Sequence, residues 1–322
     1  MKAILVRETG GPEVLKFEDM PEPSPNPGQA VIAVKAAGLN FIDTYQRSGA
    51  YKVPLPFVLG QEGAGTISAL GPGVEDLKVG DKVAWTGILG SYAEKVAVPT
   101  ERLVALPAGF DTKQGAAMML QGMTAHYLAC TTYPLKPGDT ALVHAGAGGV
   151  GLLLTQIAKM RGARVITTVS TDEKARLSEE AGADHVVPYT SVDFEEAVKR
   201  LTNGKGVSVV YDSVGQSTFT KSLNCLSTRG MLVLFGQSSG AVAPFDPHVL
   251  SQKGSLFLTR PTLVNYIATR SELQQRASDL IAWISAGKLK LRTKFEFALK
   301  DAAEAHRALE GRKTTGKVLL IP

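Results

Sequence analysis

Between residues 2 and 106 the apolar positions come in short runs broken by proline and glycine: KAILVRE, VLKFEDM, AVIAVKAAG, GAGTISALG, DKVAWT and SYAEKVAVP. Runs of this kind predict the closely spaced strands of a small all-β barrel or sandwich. The stretch PEPSPNPGQ has strands on both sides, so it reads as a loop within the domain and not as a linker. At Asp111 the period changes. DTKQGAAMMLQGMTAHYLACTT places apolar residues at helical spacing behind an aspartate able to cap the start, which predicts a long helix.

From Gly138 strands and helices alternate: TALVHA, GGVGLLLTQIAKMRG, ARVITTV, TDEKARLSEEAG, DHVVPY, VDFEEAVKRLT, VSVVYDSVG, STFTKSLNCL and GMLVLFG. Continuous apolar strands between helices are the pattern of βαβ units on a parallel sheet buried on both faces. The remainder predicts a helix (SELQQRASDLIAWISAGK), a half-exposed strand (KLKLRTKFEFALK), a helix (DAAEAHRALEGRK) and a last strand (KVLLIP). A half-exposed strand suits the barrel better than the parallel sheet, so the chain is expected to return to its first domain.

Length agrees with two domains: 322 residues with 44% hydrophobic and 20% charged are enough to bury two cores. Cys130 and Cys225 are the only cysteines, too few for a disulfide framework or a four-cysteine zinc lobe, and a reducing, cytoplasmic setting is expected. No apolar run approaches the ~20 residues that span a bilayer. The formal charge of +5 sits in the tail, where residues 266–322 hold 11 basic against 6 acidic side chains.

After TALVHA comes Gly146-Ala147-Gly148-Gly149-Val150-Gly151, with a helix directly behind it. A G-x-G-x-x-G between a strand and a helix lets the backbone approach a pyrophosphate, which then faces the helix's unpaired N–H groups. The end of the next strand selects the dinucleotide. It reads Thr167-Thr168-Val169-Ser170-Thr171, without the carboxylate that would hold the ribose hydroxyls of NAD. Small hydroxyls with Lys174 one turn later favour the 2′-phosphate of NADP. Two other readings remain: Ser170 and Glu173 as a capping box with Lys174 a solvated side chain, or Asp172 as the ribose acid.

The segment GDTALVHAGAGGVGLLLTQIAK (138–159) resembles the quinone oxidoreductase and zeta-crystallin group of the medium-chain dehydrogenase/reductase superfamily, as do NFIDTYQRSGAY, LGQEGAG, VGDKVA, LQGMTAHY, VVYDSVG, FGQSSG, KGSLFLTRP and TGKVLLIP. The resemblance implies an α/β protein: a GroES-like β-barrel catalytic domain at 1–124, completed by 266–322, and a Rossmann doubly wound parallel-sheet domain at 125–265. It further implies an active-site cleft between them and homodimers paired through Rossmann edge strands.

Zinc-dependent alcohol dehydrogenases are similar around LGQEGAG, but their ligand histidine is replaced by Gln61, and Gly38-Leu39-Asn40 stands where a ligand cysteine would be. Glu62 alone survives, and one carboxylate does not make a zinc site. His126, His144, His185, His248 and His306 are scattered and read as packed or surface residues. Without a metal the acceptor must itself be a good electrophile, a quinone or a conjugated carbonyl. The resemblance implies NADPH:quinone oxidoreductase activity, with an alkenal or enone reductase as the alternative.

It also assigns roles to residues. Asn40, Asp43 and Tyr45 would lie beside the nicotinamide, and Tyr51 and Gln61 at the substrate; ordinary packing is the competing account of the two tyrosines. Thr124 and Tyr127 would hold the nicotinamide half, Gly148, Gly149, Val150 and Gly151 the pyrophosphate, and Ser170, Lys174 and Tyr189 the 2′-phosphate. Ser213, Phe235, Gly236, Ser238 and Ser239 would line the wall. Arg312 would reach in, unless it only caps carbonyls at a helix end. Lys288, Lys290, Arg292 and Lys294 raise RNA binding as a second activity, but alternating charges on one strand are usually a solvated face, and only Phe295 and Phe297 lie near.

Overall fold

The computed structural model describes residues 1–322. The first stretch holds β1 (Lys2–Val6), β2 (Lys16–Asp19), β3 (Gln29–Leu39), α1 (Phe41–Arg47), β4 (Phe57–Val58), β5 (Glu62–Leu70), β6 (Lys82–Thr86), β7 (Lys95–Pro99), β8 (Val104–Ala105) and α2 (Thr112–Tyr127). Next come β9 (Thr140–Val143), α3 (Gly149–Met160), β10 (Arg164–Val169), α4 (Asp172–Glu180), β11 (His185–Pro188), α5 (Phe194–Leu201), β12 (Val207–Asp212), α6 (Phe219–Asn224), β13 (Leu226–Leu234), α7 (His248–Gln252) and β14 (Phe257–Thr259). The chain closes with α8 (Arg270–Ser285), β15 (Phe295–Ala298), α9 (Ala302–Glu310) and β16 (Val318–Ile321). No helix is long and apolar enough to cross a membrane.

Two compact units result: residues 1–123, 267–286 and 291–322 form the barrel unit, and 124–266 with 287–290 form the parallel-sheet unit. In the barrel unit a seven-stranded sheet runs β15-β16-β3-β5-β6-β8, with β7 also on β3, and β2-β1-β4 form a second sheet. β3 is the organiser. Register shifts at Val31/Ile32 and Val34/Ala36 bend it against β5, while β7 pairs with Gln29–Ala33 and β16 with Ala37–Leu39. Bulges of this kind allow one strand to serve several partners in a closed sheet. The core behind it is Ile4, Ile32, Leu39, Ile67, Val83, Trp85, Val318 and Leu320. Val318 stands opposite Leu39, and Ala37 opposite Gly63, so residues 317, 40 and 62 gather at one end of three neighbouring strands.

The half-exposed strand expected across KLKLRTKFEFALK is mostly absent, since only Phe295–Ala298 pairs, in parallel with β16. Leu289 is buried and the Lys290 N–H donates to Gln156 Oε1 at 2.8 Å, so this part of the segment belongs to the parallel-sheet unit. Asp111 does cap α2, accepting from the Lys113 N–H at 3.2 Å.

The second unit is a Rossmann fold. Its six strands are all parallel in the order β11-β10-β9-β12-β13-β14, with the strand order reversing between β9 and β12. Ligands of such sheets bind at that reversal, beyond the carboxyl ends of the strands. Val143, Ile166, Val210 and Leu232 have no exposure, as expected for strands covered on both faces.

Candidate functional site

The glycine turn lies at the reversal. After β9, Ala145 takes a left-handed conformation (φ 54°), the Gly146 N–H donates to Thr168 O at 3.0 Å and the Gly148 N–H to Ala145 O at 2.8 Å. α3 begins at Gly149, and no side chain caps it. The first N–H groups of a helix have no partner within it, so this end is open to an anion. Gly151 is obligatory: a Cβ there would lie 2.2 Å from the Ala145 carbonyl oxygen, so only glycine lets the helix pack on the turn. This cradle fits a dinucleotide pyrophosphate.

At the end of β10 the cap of α4 is Thr171, whose hydroxyl accepts from the Lys174 N–H at 3.3 Å. Ser170 is thereby released from the capping-box role, and the Lys174 ammonium donates to its hydroxyl at 3.2 Å. Tyr189 arrives beside them because its N–H donates to Val169 O at 3.0 Å. Ser170, Lys174 and Tyr189 thus lie at the carboxyl ends of β10 and β11. Asp172 is the first residue of α4, beyond the end of the strand.

A buried network beneath the turn joins three strand ends. His144 Nδ1 lies 2.9 Å from Thr168 Oγ1 and Nε2 lies 3.0 Å from Ser222 Oγ, which donates to Asp212 Oδ2 at 2.9 Å. Burial pulls His144 below its ordinary range, with Asp212 opposing. Asp212 Oδ1 accepts from the Val214 and Gly215 N–H groups at 2.8 and 3.0 Å, and Thr218 Oγ1 donates to Oδ2 at 2.7 Å. The Asp212 carbonyl receives the Phe235 N–H at 2.8 Å, and the Ser238 N–H reaches Ser213 O at 3.1 Å. Ser239 Oγ donates to Val214 O and accepts from the Ser217 N–H. Ser213, Phe235, Gly236, Ser238 and Ser239 are therefore brought into one wall. At its α2 end the unit holds Thr124, buried, and Tyr127, stacked on Tyr266 at 4.2 Å between ring centroids.

In the barrel unit Tyr45 and Tyr51 meet, with ring centroids 5.2 Å apart and the Tyr51 N–H donating to Tyr45 O at 2.9 Å. Gln61 is buried, its carbonyl receiving the Gly87 N–H at 2.8 Å. Arg312 stands in a left-handed turn (φ 57°) after α9.

Asn40 is a saturated hub. Its Nδ2 donates to Gly38 O at 3.2 Å and to Glu62 Oε2 at 2.8 Å, while Oδ1 accepts from Gln121 Nε2 at 3.1 Å and from Lys317 Nζ at 2.9 Å. Both hydrogens and both acceptor positions of the amide are engaged. Glu62 Oε2 also takes the Lys317 ammonium, and Oε1 accepts from the Leu120 N–H at 2.6 Å.

Behind Asn40 runs a polarised chain. Its backbone N–H donates to Asp43 Oδ2 at 2.8 Å. Arg47, paired with Glu310 through two guanidinium hydrogen bonds, also donates to His306 Nδ1 at 3.0 Å. The imidazole hydrogen is thus on Nε2, facing Tyr92 Oη at 3.3 Å, and Tyr92 in turn donates to Asp43 Oδ2 at 3.0 Å.

Burial pushes Asp43 up to about 7 against the bonds from Asn40 and Tyr92, and burial, then Arg47, pushes His306 down to about 3. Stability rises with pH wherever the unfolded chain binds more protons. From about pH 4 to 6.5 the unfolded chain binds the extra proton at His306, whereas at Asp43 the folded chain does, so the two slopes oppose. Relative to the parent, His306→Gln is expected to gain stability on acidification by about 1.4 kcal/mol per pH unit, and Asp43→Asn to lose it. Urea midpoints between about pH 4 and 6.5 test this; parallel curves for the parent and both variants would refute it.

Zinc does not fit this site. No three His, Cys, Asp or Glu side chains converge anywhere, and the position beside Glu62 is taken by an ammonium. Lys317, Gln121, Tyr92, Arg47, Asp212 and Tyr266 belong to the site's networks without a motif to announce them. Their only signal was a charged or polar residue beside an apolar strand or helix, as in Lys317 of TGKVLLIP.

Residues 26–108 match the model of the alcohol dehydrogenase GroES-like domain, and 149–285 that of the zinc-binding dehydrogenases. The chain is 47% identical to a quinone oxidoreductase of Pseudomonas aeruginosa, over 100% of this chain and 99% of the relative. It is 40% identical to a 2-haloacrylate reductase of a Burkholderia species, over 99% and 98%. The crystal structure of Escherichia coli quinone oxidoreductase complexed with NADPH superimposes with a TM-score of 0.98 at 44% identity, covering 100% of both chains. A GroES-like unit and a Rossmann unit joined in this order, with likeness sustained from end to end, place the chain in the quinone oxidoreductase family of the medium-chain dehydrogenase/reductase superfamily.

Proposed function

We propose that this chain is an NADPH:quinone oxidoreductase that works without a metal ion. The observation that carries the cofactor choice is the Lys174–Ser170 pair at the end of β10, a strand that ends in Val169-Ser170 without a carboxylate of its own. Gly148, Gly149, Val150 and Gly151 would hold the pyrophosphate, Ser170, Lys174 and Tyr189 the 2′-phosphate, and Thr124, Tyr127 and the wall from Ser213 to Ser239 the rest, with Arg312 as a further cation. When bound, NADPH supplies the hydride.

On the barrel side Tyr45, Tyr51 and Gln61 would orient the acceptor. Asn40 and Asp43 act differently in this reading: with the Asn40 amide fully engaged and Asp43 without exposure, they fix the segment that leads into α1. Because the side chains here do not make a metal-binding set, this reading favours acceptors already polarised by conjugation. The likeness to a 2-haloacrylate reductase favours activated alkenes as a second substrate class. Exposed Phe257 on the edge strand β14 supports pairing of two copies along that edge, which sedimentation would check.

Steady-state turnover with NADPH and NADH, on 1,2-naphthoquinone and on a conjugated enal, tests the function. The expected result is a preference for NADPH and for the quinone. No reduction of any small quinone would sink the proposal, and faster reduction of the enal would move the chain to the second class.

A further inference from the structure

Glu62 opens β5 at the shared end of β3, β5 and β16, with no exposure and with Asp43 as the neighbouring carboxylate, and it is met there by a cation belonging to the chain itself. Lys317 is 3% exposed, the residue before β16, and its ammonium bridges Glu62 Oε2 and Asn40 Oδ1. The strand register that aligns 317, 40 and 62 makes this a built position and not a chance contact.

The packing around it is closed. A Cβ on Gly38 would lie 2.3 Å from Glu62 Oε2 and 2.6 Å from both Cε and Nζ of Lys317, so the backbone presses directly on the ion pair. Gln121 Nε2 completes the Asn40 amide, while Gln121 Oε1 is buried without a partner. Burial pulls the Lys317 ammonium below its ordinary range, and Glu62 and Asp43 oppose that pull. The space beside the Glu62 carboxylate is thus filled by the chain's own ammonium.

We propose that the Lys317 ammonium is a built-in cation that occupies the place beside Glu62 where a metal ion would otherwise balance the carboxylate, and that as a positioning residue it fixes Asn40 and the segment leading into α1. The chain thereby has its active-site charge balance written into its own sequence, and the arrangement is complete as soon as β16 docks. The functional part of this proposal rests on the quinone reductase reading; the structural part does not.

The test uses the full chain as Lys317→Ala, Lys317→Met, Glu62→Gln and the double variant Lys317→Met/Glu62→Gln. Propylammonium replaces the atoms removed in Lys317→Ala, and 1-propanol has nearly the same shape without the charge. Propylammonium is expected to raise the melting temperature of Lys317→Ala and restore at least ten-fold in quinone turnover, with 1-propanol doing neither. Equal rescue by both would overturn the proposal, since volume and not charge would then be the requirement, and so would rescue by neither.

If Lys317→Ala does not fold, the Met variants decide. The double variant should melt above Lys317→Met because the lone buried charge is gone. Additive losses would overturn the proposal. Melting temperatures are read without any substrate, so a failure of the quinone reductase reading would show in the parent's turnover alone.

Discussion

Replacing Ser170 with aspartate and Lys174 with alanine together is expected to lower kcat/KM for NADPH by about 100- to 1,000-fold, while NADH changes by less than about 5-fold. The magnitude follows from two effects. Each charge-assisted hydrogen bond to a phosphate contributes roughly 1.5–3 kcal/mol, and a carboxylate set at the same place repels the phosphate. A loss of about 3–4 kcal/mol corresponds to that range of rate constants. NADH is spared because the carboxylate introduced at position 170 meets ribose hydroxyls it can accept from. Thr171 retains the cap of α4 in the variant, so the helix is not disturbed by the change at 170. Parallel losses with both cofactors would mean that these side chains hold the fold and not the phosphate.

The second large effect is expected at Asp212. Asp212→Ala removes the acceptor of four buried or part-buried donors, from Val214, Gly215, Thr218 and Ser222. At about 1 kcal/mol each, with further cost for donors left dry, the loss is about 3–5 kcal/mol, read as a lower urea midpoint. Asp212→Asn keeps an oxygen for the two N–H groups and turns its amide toward two hydroxyls that can rotate to accept, so it should retain more than half of that stability. The Ser213 and Phe235 loops hang from the same residue, so NADPH affinity should fall together with the midpoint. A loss below about 1 kcal/mol in Asp212→Ala would show that the network is not the anchor described above.

The glycine turn was readable from sequence because every requirement lies within one strand, one turn and one helix. The end of β10 was nearly so. Two adjacent hydroxyls, Ser170 and Thr171, were each able to cap α4, and only the backbone decides between them. The segment at 288–294 has the alternation of a strand but is not one, because alternation reports exposure whereas a strand also needs a partner edge, and β16 offers one only from Phe295 onward. In the cluster of Asn40, Glu62, Gln121 and Lys317 the sequence points to Asn40 and Glu62 but not to their partners: its members come from four distant places, Lys317 brought in by antiparallel register and Gln121 by α2. The chain from Asp43 to Arg47 was hidden for the same reason, since Tyr92 and His306 are 49 and more residues away from their partners.

The barrel unit is assembled from three separated stretches, and Lys317 follows Glu62 by 255 residues. During synthesis the Rossmann unit, nearly continuous in the chain, is able to close while β3 still lacks its neighbour β16. Until then the Glu62 carboxylate would lack its Lys317 partner and the Ala37–Leu39 part of β3 its β16 neighbour. Chains ending before Lys317 would thus leave the Ala37–Leu39 edge of β3 unpaired, and the pairing of Val318–Leu320 would seal it as Lys317 reaches Glu62.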